Sequence, residues 1–95
     1  MPSAPPAAPL PYRKVNDAVS LGRLIRARRL VSGITLEEAS TLTGVGIRFL
    51  SELERGKATA SLGKTLHVLD RLGLDLWVEP RGFREHGRYT TVPLG

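Results

Sequence analysis

The segment 33–57, GITLEEASTLTGVGIRFLSELERGK, carries two sets of helix signals with room for only a tight turn between them. Thr35 followed by Glu38 is a capping box, in which a hydroxyl and a carboxylate satisfy two orphan amides at a helix start. Ala39 and Ser40 are small and let a second helix cross closely. Gly44 ends the first helix, since glycine takes the left-handed conformation at little cost. Val45 occupies the turn and points inward, and Gly46 or Ile47 opens the second helix. Leu50 and Leu53, three apart, share its buried face, and Gly56 ends it. Ile47, Arg48, Ser51, Glu52 and Arg55 fall between the buried positions and point outward.

This is the layout of a helix-turn-helix, which places its second helix in the major groove of DNA. The plainer alternative is a helical hairpin with solvated charges. The coincidence of small residues, turn glycine and paired leucines at these spacings favours the helix-turn-helix. Composition agrees. A chain of 95 residues is one small domain, whose core is marginal alone and gains from oligomerisation. Its 14 Lys and Arg against 9 Asp and Glu give a net charge of +5, which favours anionic partners, nucleic acid first. With no cysteine there is no disulfide framework and no thiolate metal site. No apolar run approaches the ~20 residues of a membrane span, and no signal-peptide pattern opens the chain. The expectation is a cytoplasmic protein without a membrane partner.

Three divisions are expected along the chain. Residues 1–15 form a Pro/Ala-rich arm, with Pro2, Pro5, Pro6, Pro9 and Pro11 excluding helix and strand. Residues 16–73 form the helical domain. Helix one runs from a cap at Asn16 or Asp17 to about Val31, with Leu21, Leu24 and Ile25 as its apolar stripe and Arg23, Arg26, Arg28 and Arg29 as a basic set. Helix four runs from the cap Ser61 to about Leu72, with Leu62, Leu66, Leu69 and Leu72 buried and Gly73 as its stop. Residues 74–95 are a strand and a tail. The alternation from Leu74 to Glu79 is that of a strand, which Pro80 ends. Leu74, Leu76 and Val78 are expected over helices four and one, with Trp77 opposite. A lone strand needs a ladder partner. The tail 82–95 holds scattered apolar residues, Phe83, Tyr89, Val92 and Leu94.

Nothing in the chain reads as an enzyme or a cofactor site. There is no nucleophile with a base, no acidic pair in an apolar setting and no phosphate loop. His67 lacks a second ligand at metal spacing. Gly44 and Gly46 match part of a dinucleotide fingerprint, but no strand precedes them.

Residues 20–73 resemble the Xre/Cro-type helix-turn-helix domain of lambdoid phage repressors and many bacterial regulators, and 33–57 aligns with it without a gap. The segments 21–29, 49–57 and 61–73, followed by one strand, resemble HipB-type antitoxins. The resemblance implies an all-α, lambda-repressor-like domain of four or five helices, with one C-terminal β-strand pairing across a dimer. It implies a transcriptional repressor that binds a double-stranded operator on the bacterial nucleoid, forms a homodimer and neutralises a HipA-type kinase toxin. A stand-alone Xre-family regulator without a toxin is the alternative, and a pure interaction module is a third class.

Helix three is then the base-reading element, through Gly46, Ile47, Arg48 and Ser51. Arg26, Thr35, Arg55 and Lys57 are expected at phosphates, with Arg13 and Lys14 on the arm. By resemblance to phage repressors, Arg29 and Glu54 bridge helix one to the end of helix three. Leu74, Leu76, Trp77 and Val78 are expected to make the dimer strand; for the tail the resemblance implies contact with the kinase, and disorder is the alternative. The chain departs from the family at Leu36, where many members carry a DNA-contacting glutamine, and at Ala39, which is smaller than the usual leucine.

Overall fold

A helix starts well where a side chain can satisfy its first amides. The structure, a computed structural model, describes residues 14–80. It contains four helices: α1 Ala18–Val31, α2 Leu36–Thr43, α3 Ile47–Glu54 and α4 Leu62–Arg71. Asp17 accepts from the Ser20 amide at 2.7 Å to start α1, and this bond lowers the Asp17 carboxyl below its ordinary value. The capping box of α2 is complete: the Glu38 amide donates to Thr35 Oγ1 at 3.0 Å, and the Thr35 amide donates to Glu38 Oε1 at 2.8 Å. Ser61 caps α4 through the Lys64 amide. Only α3 starts without a side-chain cap, at Gly46.

Gly44 makes the turn between α2 and α3. Its φ of 79° lies in the left-handed region, where a side chain would be strained. Ser40 Oγ donates to the Val45 carbonyl at 2.6 Å, and the Val45 amide donates to Thr43 Oγ1 at 3.4 Å. These bonds hold the turn from inside and set the direction in which α3 leaves it.

Ile25, Ala39, Leu50, Leu53, Val68, Leu69 and Leu72 form the core. Leu21, Ile34, Leu36, Val45, Phe49, Ala60 and Leu74 pack around it. α3 packs against both α1 and α2, and α4 packs on α2. Leu36, at the start of α2, therefore serves the core. Gly22 faces α3 so closely that a Cβ there would stand 2.4 Å from the Leu53 carbonyl oxygen and 2.7 Å from that of Glu54. The two backbones touch, and no side chain fits between them.

The buried line of α4 differs from the expected one. Leu62 is 69% exposed and Leu66 is also exposed, whereas Thr65, Val68, Leu69 and Leu72 are buried. The threonine is accommodated because its hydroxyl donates to the Ser61 carbonyl at 2.7 Å, so it enters the core satisfied. A leucine stripe and a stripe starting at Thr65 share their last two members, and the helix has turned toward the second.

After α4 the Leu74 amide donates to the Leu69 carbonyl at 2.8 Å, closing the helix, and the Leu74 side chain packs on the core. No strand is formed among the described residues. Leu76 is exposed, as are Trp77 at 77% and Val78 at 84%. The expectation that Leu76 and Val78 cover α4 and α1 is thus not met within one chain, and of that face only Leu74 does so. An extended segment needs a ladder partner, and none is present among residues 14–80. Most of the arm, including Arg13, and the residues 81–95 of the tail lie outside the described residues.

Several long side chains tie helix ends together. Arg28 Nε donates to the Leu72 carbonyl at 2.9 Å, joining α1 to the end of α4. Arg71 Nε donates to the Leu42 carbonyl at 3.3 Å, and His67 Nε2 lies 2.8 Å from that of Thr43. These last two satisfy carbonyls that the C-terminal turn of α2 leaves unpaired.

Candidate nucleic-acid interface

α3 is amphipathic in the plainest way. Leu50 and Leu53 hold it to the core, and Ile47, Arg48 and the Ser51–Glu52 edge face away. Gly46, at its start, is exposed, and a Cβ there would meet nothing within 4 Å. The Arg48 side chain is 90% exposed. Its Nε lies 3.4 Å from Glu52 Oε2, while Glu52 Oε1 accepts from Lys57 Nζ at 3.1 Å. Arg55 Nη1 donates to Ser51 Oγ. Five polar side chains along α3 and the loop after it are therefore joined into two small groups on one stretch of surface. Lys57, held through Glu52, keeps that carboxyl below its ordinary value, and Arg48 adds to the effect.

Behind this surface Arg29 and Glu54 form a buried, two-bond ion pair. Arg29 Nε donates to Glu54 Oε2 at 2.7 Å and Nη2 to Oε1 at 3.0 Å, while Nη1 donates to the Ile34 carbonyl at 2.9 Å. Glu54 raises the Arg29 guanidinium above its ordinary value. One side chain thus links α1, the loop before α2 and the end of α3. It fixes the tilt of the exposed helix and contributes nothing to the outer surface.

The other expected phosphate ligands sit apart. Arg26 is exposed on α1 and Thr35 is exposed at the start of α2. No hydrogen bond among the described residues joins either to α3. The Thr35 oxygen is occupied as an acceptor by the α2 cap, which leaves its hydroxyl proton for an outside acceptor. Lys14 is described and exposed. Glu52 is outward as its place in the helix predicts, and its spacing from Arg48, one helical turn, is a standard pairing distance. Lys64 has no such local signal in the sequence; its ammonium stands 5.5 Å from the centre of the Phe49 ring.

A short helix held by its leucines against two others, started by a glycine turn and showing arginines and small residues outward, defines a DNA-binding helix-turn-helix domain. Residues 20–78 match the helix-turn-helix domain family. Over 72 residues the chain is 35% identical to a protein of Sinorhizobium fredii named an uncharacterized HTH-type transcriptional regulator, y4mF. The alignment covers 76% of this chain and 95% of that protein. The chain belongs to the helix-turn-helix family and is an Xre-like, DNA-binding transcriptional regulator. No helix among the described residues is long and apolar enough to cross a membrane.

Proposed function

We propose that the chain is a sequence-specific repressor that docks α3 in the major groove of its operator. The observation that carries this reading is the outward face of α3: an exposed arginine at Arg48, a hydroxyl at Ser51, and Gly46 and Ile47 exposed at the helix start. Arg48 donates to guanine O6 and N7. Arg55 and Lys57, with Arg26, Thr35 and Lys14, meet phosphates. Arg48→Ala should cost about 1–3 kcal/mol on the selected site and relax discrimination at one base pair. Equal losses on selected and random DNA, read by titration, would make Arg48 a phosphate contact instead.

The working unit in this reading is a homodimer, as paired half-sites require. The helical domain, residues 16–73, is followed by a segment that exposes Leu76, Trp77 and Val78, a run that favours cover. Pairing residues 74–78 with the same segment of a second copy supplies both the ladder partner and the cover. Leu76→Pro removes one ladder amide and should shift the sedimenting species from dimer to monomer. A dimer that survives this change places the interface elsewhere.

The proposed setting is an operon with a HipA-type kinase toxin, which the protein neutralises while repressing its own promoter in the bacterial cytoplasm. The support for this is the likeness of segments 21–29, 49–57 and 61–73 to HipB-type antitoxins. A second reading, a stand-alone Xre-family regulator, is favoured by the relative's name, which speaks of transcription alone. Co-expression with the neighbouring genes decides between them. A kinase that co-purifies with the chain supports the antitoxin, and its absence from both operon and complex supports the stand-alone regulator.

A further inference from the structure

A carboxylate in the middle of a DNA-facing cationic surface demands an explanation, because phosphates repel it. Glu52 is such a group. It sits one helical turn after Arg48 on α3, and its side chain is 25% exposed. Its two oxygens are divided between two cations: Oε2 faces Arg48 Nε at 3.4 Å, and Oε1 accepts from Lys57 Nζ at 3.1 Å. Its backbone joins in, since the Lys57 amide donates to the Glu52 carbonyl at 3.0 Å. Lys57 is thus anchored to Glu52 through both its backbone amide and its ammonium.

The atom by which Arg48 is held matters. Nε is the inner nitrogen of the guanidinium. An arginine held there keeps both terminal nitrogens for outside acceptors, and these form the fork that matches guanine O6 and N7. A carboxylate bonded across the terminal nitrogens would consume that fork. The geometry of Glu52 therefore leaves the reading edge of Arg48 open while restricting its swing.

We propose that Glu52 is a positioning residue of the DNA interface. It sets Arg48 toward the base edges and Lys57 toward the phosphate flank, and its negative charge weakens binding to random sequence. The proposal rests on the reading that α3 enters the major groove. Specificity is a difference between affinities. A group that orders a base-reading arginine and at the same time subtracts from the sequence-independent attraction acts on both sides of that difference.

Glu52→Gln keeps the size and removes the charge, and Glu52→Ala removes the contact as well. Each is compared with wild type on a selected site, on its single-base variants and on random DNA, over a range of salt concentrations. Both variants should bind random DNA more tightly, with a salt slope steeper by about one unit. Discrimination at the Arg48 base pair should fall by about tenfold. In an Arg48→Ala background, Glu52→Gln should leave that discrimination unchanged, because no arginine remains to be positioned. A purely structural role would lower the melting temperature and weaken all sequences by the same factor, and that result overturns the proposal. So does a discrimination ratio equal to that of wild type in both variants. A wild-type chain that does not distinguish the selected site from random DNA overturns the groove reading and this proposal with it. A wild type that discriminates beside variants that discriminate equally well removes the role of Glu52 alone.

Discussion

Arg29→Met is expected to cost about 3–5 kcal/mol of folding stability, because it leaves Glu54 buried without its counter-ion. It also leaves the Ile34 carbonyl without the donor it has at 2.9 Å. Small domains hold roughly 5–15 kcal/mol in all, so this one change removes a large share. Tm should fall by about 12–40 °C, given roughly 4–8 °C per kcal/mol at this size. The double variant Arg29→Met, Glu54→Leu should recover much of the loss, since replacing both members of a buried pair with apolar groups is often close to neutral. Thermal and urea denaturation of the two variants check this. An unchanged Tm together with weakened DNA binding would mean that Arg29 faces DNA, contrary to its burial against Glu54.

Gly22→Ala is expected to destabilise the domain as well, although alanine is the better helix former by ~0.8–1 kcal/mol. The added methyl would meet the Leu53 oxygen at 2.4 Å, the Glu54 oxygen at 2.7 Å and the Glu54 carbonyl carbon at 2.9 Å. All three are backbone atoms and cannot rotate away. Overpacking of this kind costs ~1–3 kcal/mol, and the upper part of that range applies here. Because α1 and α3 must separate, the end of α3 moves and the bond from Arg29 to Glu54 lengthens with it. Gly63→Ala is the matched comparison. Its methyl would meet nothing within 4 Å, so the propensity gain stands alone and the domain should become slightly more stable. Opposite signs for the same substitution at Gly22 and Gly63 would show that contact with α3 decides the outcome. A Gly22→Ala protein as stable as wild type would show that the helices have room to part.

The parts of this fold that were legible in the sequence are those whose signals are local. Thr35 with Glu38, Gly44, and Leu50 with Leu53 each act within a few residues, and together they define α2, the turn and α3. Gly22 carried a readable hint, since a glycine inside a helix needs a packing reason, but the partner it touches lies about thirty residues on. Leu62 and Leu66 were misplaced because a leucine counts as apolar and a threonine as polar. A carbonyl at Ser61 that accepts the Thr65 hydroxyl reverses that preference. The carbonyls held by Arg28, Arg71 and His67 belong to distant helix ends, and no spacing within the chain announces them. The alternation from Leu74 onward is compatible with a strand, yet pairing is a property of two segments, and one chain between residues 14 and 80 supplies only the first. In the interface the exposed residues of α3 were readable from periodicity. The division of Glu52 between Arg48 and Lys57 was not, because it depends on how the loop after α3 folds back.

In the proposed function the outward face of α3 reads a DNA sequence. The direct measurement is to select binding sites for the full chain from a pool of random duplexes, then titrate the winning site and a scrambled duplex across a range of salt. One motif should be enriched and bound at least ~10³-fold more tightly than the scrambled duplex, with both affinities falling linearly in log–log form as salt rises. No enrichment, or equal affinity for the two duplexes at every salt concentration, would contradict it.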